Sequence, residues 1–164
     1  MKRTLCILIC VIMLFLLAGC QAPDNNLVRF YYCRNPQSNS YFEEDSVIHA
    51  ELRDLAGHRK DLQYMLGLYL AGPMDEDLIT SFSKQTRLLS VHQEADNILI
   101  ELSDHTKALS DSDFSLFCAC LTLTCMDFIQ CQSVTVSSGD RTVAMNQSNI
   151  ILQDTLPLQE NTGG

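Results

Sequence analysis

Between residues 27 and 152 the spacing of apolar side chains switches from a period of two to a period of about 3.6 and back, and it does so twice. That switching limits the possible folds more than any other property of the chain. A period of two places alternate side chains on one face of a strand, whereas the helical period gathers them into a stripe. LVRFYYC, Leu27 to Cys33, sets Val28, Phe30 and Tyr32 on one face. After the loop RNPQSNS, the stretch VIHAELR alternates, with Ile48, Ala50 and Leu52 expected inward and His49, Glu51 and Arg53 outward. From His58 to Ala71 the period becomes helical through Leu62, Met65, Leu66 and Tyr69, and Gly72-Pro73 stops the helix. LLSVHQEADNILIEL reads as a hairpin, with Leu89 and Val91 opposite Ile98, Ile100 and Leu102. A second helix starts at the cap-like run Ser110-Asp111-Ser112-Asp113 and reaches about Gln130. SVTV, a Ser-Gly-Asp turn and TVAM close the pattern as a last hairpin. The expected class is α+β, with two helices packed on a mostly antiparallel sheet in the order β-β-α-β-β-α-β-β.

The second helix carries CACLTLTCMDFIQC, with four cysteines from Cys118 to Cys131. Its apolar stripe holds Phe114, Phe117, Cys118, Leu121, Cys125 and Phe128, and at 100° per residue Cys118 and Cys125 project within about 20° of each other. Cys120 and Cys131 project on the far flank. Four ligands converging on one zinc ion cannot come from both faces of a single helix. The run also lacks the C-x-x-C spacing of zinc ribbons and redox motifs. These cysteines therefore read as core residues, and Cys33 stands ready to meet Cys118 or Cys125 where strand and helix pack.

The chain opens Met1-Lys2-Arg3 and continues with the apolar run TLCILICVIMLFLLAG, which is shorter than the roughly 20 residues of a bilayer-spanning helix. It ends in Leu17-Ala18-Gly19-Cys20, the pattern of a bacterial lipobox, followed by polar QAPDNN. Residues 1–19 are thus expected to be a lipoprotein signal peptide, 20–26 a lipidated tether, 27–153 a domain and 154–164 a flexible tail. Cys20 would receive a diacylglycerol and hold the protein to the outer, extracytoplasmic face of the cell membrane. Without residues 1–19, nine basic residues face twenty acidic ones, a net charge of −11. Such a surface repels nucleic acid and anionic headgroups, and no cluster of Lys or Arg overrides it.

Residues that could carry chemistry are sparse. His49, His58, His92 and His105 are scattered, and Asp104-His105 has no elbow serine of the G-x-S-x-G type to complete a triad. Asp111 with Asp113, and Asp75-Glu76-Asp77, stand where a helix or turn begins, and capping accounts for them. No phosphate loop, dinucleotide fingerprint or EF-hand spacing occurs. The residues point to no catalytic site, metal or cofactor.

The segments LVRFYYC, VIHAELRDL, LGLYLAGP, LITSFSKQTRLLSV and NILIELS together resemble the GerMN domain family. Leu70-Ala71-Gly72-Pro73, Thr86, Leu88 to Val91 and Ile100 to Ser103 fill the family's places, and Thr124 to Val136 with Ser138-Gly139-Asp140 resembles its closing helix, strand and turn. The likeness spans about Leu27 to Leu152; Phe82-Ser83, Gln85 and the Ser-Gly-Asp order depart from the pattern in loops. The resemblance implies a fold like that of ring-building motifs. It also implies a non-catalytic, membrane-tethered module of spore-forming bacteria, engaged in envelope protein assembly during sporulation or germination, by binding a partner or by self-assembly. The alternative is an extracytoplasmic binding module for cell-wall polymer or a small ligand, with Tyr31, Tyr41 and Phe42 as contact aromatics. The absence of Trp weighs against a carbohydrate platform.

Overall fold

The computed structural model describes residues 27–38, 46–55 and 57–150. The signal segment, Cys20, the tether, Tyr41, Phe42 and the 154–164 tail lie outside them. Among the described residues the order is β1 (Leu27–Arg34), β2 (Ile48–Asp54), α1 (Leu62–Leu70), β3 (Leu78–Ile79), β4 (Leu88–Glu94) and β5 (Asn97–Leu102), followed by a 3-10 turn (Asp104–Ala108), α2 (Asp111–Phe128), β6 (Ser133–Ser138) and β7 (Arg141–Asn146). The class is α+β, as the periodicity predicts. The short β3 is an addition to the expected order.

The strands divide between two sheets rather than sharing one: β2-β1-β3, and β4-β5-β6-β7. All pairings are antiparallel except β5 with β6. A parallel pair needs a crossover, and here the 3-10 turn and α2 supply it. The sheet divides because β3 covers only the Cys33–Arg34 end of β1, leaving most of that edge to α2.

Helix α1 begins at Leu62 rather than His58 because Asp61 is its cap, its carboxylate accepting from the Tyr64 N–H at 2.9 Å. It buries Met65, Leu66 and Tyr69, then ends where Gly72 takes φ 97° ahead of Pro73. In α2, Ser110 accepts from the Asp113 N–H and donates to the Asp113 carboxylate at 2.6 Å. The expected stripe of α2 is buried throughout. Cys120, Thr122 and Thr124 are buried as well, Cys120 and Thr124 on the flank that packs on β1. Ile98, Ile100 and Leu102 of β5 and Val134 and Val136 of β6 complete the core, each 1% exposed or less. Leu89, expected inward, is instead 59% exposed, since a bulge between Leu88 and Ser90 rotates it out of the pleat.

Candidate functional site

Strand β2 presents the opposite face from the one its alternation predicts. Arg53 is buried, Leu52 is 62% exposed, and Ala50 is exposed. A one-residue change of parity moves every side chain to the other face, so something must make a buried arginine favourable. The Arg53 guanidinium pairs with Glu51 and donates to the Leu68 carbonyl at 3.0 Å and to the Gly72 carbonyl. Those are orphan acceptors at the C-terminal end of α1. The guanidinium also lies over the Phe30 ring, 4.8 Å from its centroid, and 5.6 Å from that of Tyr32. Glu51 in turn accepts from the N–H groups of Met74 and Asp75. Every donor and acceptor in this knot therefore has work, which is the condition for burying charge. Tyr32 stacks on Tyr69 at 4.9 Å and donates to the Tyr69 carbonyl at 3.0 Å, so the knot joins the first sheet to α1.

With Arg53 and Glu51 inside, the register sends Leu27, Arg29, Tyr31, Ile48, Ala50 and Leu52 to the outer face. This face is largely apolar, with Leu27 43% exposed and Tyr31 half-buried beside α2. Its open side is β2, which among the described residues pairs only with β1. The far edge of β1 is closed by side chains of α2: Thr124 Oγ1 accepts from the Tyr31 N–H at 3.0 Å, and the Asp127 carboxylate accepts from the Arg29 N–H at 2.9 Å. Asp127 also pairs with the Arg29 side chain at 3.1 Å. A three-residue step along α2, from Thr124 to Asp127, thus matches a two-residue step along β1, from Tyr31 to Arg29, and the helix substitutes for a strand. Partial burial, aided by Asp127, raises the Tyr31 hydroxyl above its ordinary pKa.

The same match brings Cys33 to Cys120, not to Cys118 or Cys125 as expected from the helix stripe alone. The two thiols line one small void, and Ser81 Oγ lies 3.0 Å from Cys33 Sγ. Interaction with Cys120 and Ser81 draws Cys33 below the ordinary thiol pKa, while interaction with Cys33 and deep burial drive Cys120 upward. Cys118 and Cys125 behave as core groups, and desolvation raises both. Among the described residues no three of His, Cys, Asp and Glu converge as metal ligands.

The other polar candidates disperse. His105 Nδ1 lies 3.0 Å from Ser103 Oγ, but Asp104 turns away to Lys107 at 3.1 Å, and all three positions lie in an open 3-10 turn. Asp111 pairs with Arg141 at 3.0 Å, and Asp75 accepts from the Asp77 N–H at 2.9 Å, so these carboxylates serve local structure. His49 Nε2 lies 2.7 Å from the Ser46 carbonyl, His58 stacks on Tyr64 at 4.1 Å, and His92 is exposed. One polar groove of about 640 Å³ is lined by Asp96, Gln130, Gln132, Asn146 and Ser148, with Cys131 on its wall. Among the described residues no helix is long and apolar enough to cross a membrane. What the sequence did not disclose was Arg53; its signal is the Glu51-x-Arg53 spacing opposite Phe30 and Tyr32, which places both charges on an aromatic face once the register is known.

No protein-family model matches the chain, nor does any curated protein. Among solved structures, a candidate lipoprotein from Clostridium perfringens matches 78% of this chain and 90% of its own at 14% identity and a TM-score of 0.48. The tandem GerMN domains of the sporulation protein GerM from Bacillus subtilis match 70% of this chain at 18% identity, also with a TM-score of 0.48. The chain is similar to a GerMN domain. It spans 39% of that tandem structure, and likenesses of this size locate no functional residue.

Proposed function

We propose that this protein is a lipid-anchored, extracytoplasmic assembly module, tethered through Cys20, that docks a second envelope protein on the outer face of β1 and β2. The reading extends to envelope assembly in sporulation or germination. The observation that carries it is the inverted strand β2: the Arg53–Glu51 knot holds Leu52 and Ala50 out in solvent beside Leu27 and Tyr31, next to a strand edge that pairs with no further strand among the described residues. Apolar side chains gathered on one face mark a docking surface, and an open edge accepts an added strand. The acidic mature chain disfavours an anionic lipid surface or nucleic acid as the occupant, which leaves protein.

The test places a photo-crosslinking amino acid at Leu52 and, as a control, at Leu89, which is equally exposed on the other sheet. Both are expressed in vegetative and sporulating cells of the host. The expected result is one defined envelope-protein adduct, or a self-adduct, from Leu52 alone, lost with Cys20→Ser. Equal labelling from both positions, or none from Leu52, refutes the docking face. A second reading, binding of wall polymer, draws on the polar groove between the end of α2 and β7, whose amide and hydroxyl groups suit a hydroxyl-rich chain. Protection of that groove by wall fragments in hydrogen exchange, with no protein adduct at Leu52, would favour it.

A further inference from the structure

The buried thiols of Cys33 and Cys120 have no part in the docking face, yet they are arranged unlike the other cysteines. Cys33 ends the run of β1 whose edge α2 seals, and Cys120 begins the helix face that seals it, four residues before Thr124 and seven before Asp127. The Thr124 contact, with a helix side chain hydroxyl 3.0 Å from a strand N–H, shows how closely the two backbones approach here. Cys33 and Cys120 line one small void together with Tyr32, Tyr69, Ser81 and Phe117. Both are free thiols, Cys33 6% exposed and Cys120 1%.

We propose that Cys33 and Cys120 form a reactive dithiol that a small peroxide converts into an intramolecular disulfide, stapling β1 to α2. Cys33 is the attacking sulfur, because the Ser81 hydroxyl lies 3.0 Å from it and it retains the greater exposure, 6% against 1% for Cys120. Its thiolate attacks one oxygen of hydrogen peroxide, breaking the O–O bond to give a sulfenic acid and hydroxide, which takes up the proton that Cys33 released. Cys120 sulfur then attacks the sulfenic sulfur; the S–S bond forms, and the departing hydroxide leaves as water with the Cys120 proton. Two thiols lose two electrons, the peroxide gains them, and two waters result. Cys33 is the more exposed of the two sulfurs, so the oxidant in this proposal is a small one that meets Cys33 first. The charged and titratable groups facing Cys33 are Cys120 and Asp113 from α2 and Tyr69 from α1, with the Ser81 hydroxyl beside them from the loop after β3.

The experiment exposes the full chain to one equivalent of hydrogen peroxide across pH 5.5–9 (about that range spans the thiol pKa values of reactive cysteines). Remaining thiols are then blocked under denaturing conditions and the peptides mapped by mass spectrometry. The expected product is a single Cys33–Cys120 cross-linked peptide, formed at a rate that climbs through about pH 7, where the Cys33 thiol ionises. Oxidation should raise Tm, and dithiothreitol should reverse the rise. Ser81→Ala keeps both sulfurs and the fold; it should slow the reaction severalfold at neutral pH and displace the profile upward. Oxidation confined to Cys118 or Cys131, a Cys33 sulfinic acid without the cross-link, no reaction, or an unchanged Ser81→Ala profile each overturns the proposal.

Discussion

The two sheets of this protein are held by different means. In β4-β5-β6-β7 the inner face is made by Ile98, Ile100, Leu102, Val134 and Val136, all essentially unexposed, and no charged group joins them in the core. In β2-β1-β3 the inner face includes Arg53 and Glu51, and the edge of β1 is closed by a threonine and an aspartate from a helix. Apolar burial tolerates small errors, because a lost methylene costs only its own transfer and cavity terms. A buried charged knot does not, since each group left without its partner bears the full cost of desolvation.

Arg53→Met tests that contrast most severely. It strands Glu51 and the Leu68 and Gly72 carbonyls, and should cost about 3–5 kcal/mol in urea unfolding. Adding Glu51→Leu should recover only part of this, because the two carbonyls and the Met74 and Asp75 N–H groups stay unpaired; full recovery would show the knot to be dispensable. Thr124→Val removes the acceptor for the Tyr31 N–H at nearly constant volume and should cost about 1–3 kcal/mol. Its signature in hydrogen exchange would be faster exchange at Tyr31, with β5 and β6 unaffected.

Alkaline titration separates the regions by sign. Cys118, raised to about 12 by burial, stays protonated in the fold while the unfolded thiol ionises near 9. Its contribution is therefore complete below pH 9 and is lost as pH rises toward 12. Cys125 acts in the same direction, and each should cost roughly 1 kcal/mol between pH 9 and 10. Cys33, drawn down to about 7, does the reverse: its contribution is present above pH 9 and is lost as pH falls through 7. Ser81→Ala should therefore flatten the acid side of the profile of reduced protein alone. The smallest effect belongs to the apolar sheet, where Ile100→Val should cost about 0.5–1.5 kcal/mol.

The same contrast explains what could be read from the sequence. The hairpins β4–β5 and β6–β7, the stripe of α2 and the cap at Ser110 follow from local spacing and local chemistry, and these the sequence shows. The inversion of β2 does not follow from spacing, because HAELR alternates equally well either way and the choice falls to the carbonyls of α1, over a dozen residues later. For the same reason the stripe points Cys33 to Cys118 or Cys125 rather than to Cys120 on the far flank: one helix wheel cannot show that a second surface packs there. The proposed docking face was legible only in part. Tyr31 is outward as its alternation implies, whereas Leu52 becomes visible only once Arg53 is known to be buried. Cys20 remains a reading of the lipobox.

The bonds that close β1 join Arg29 to Asp127 and Tyr31 to Thr124, separations of 98 and 93 residues. The first described strand in chain order is therefore the last to be completed. Until α2 arrives, most of the β1 edge away from β2 has no partner among the described residues. Contacts so distant in sequence make closure slow and leave an interval in which neighbouring chains can pair edge to edge.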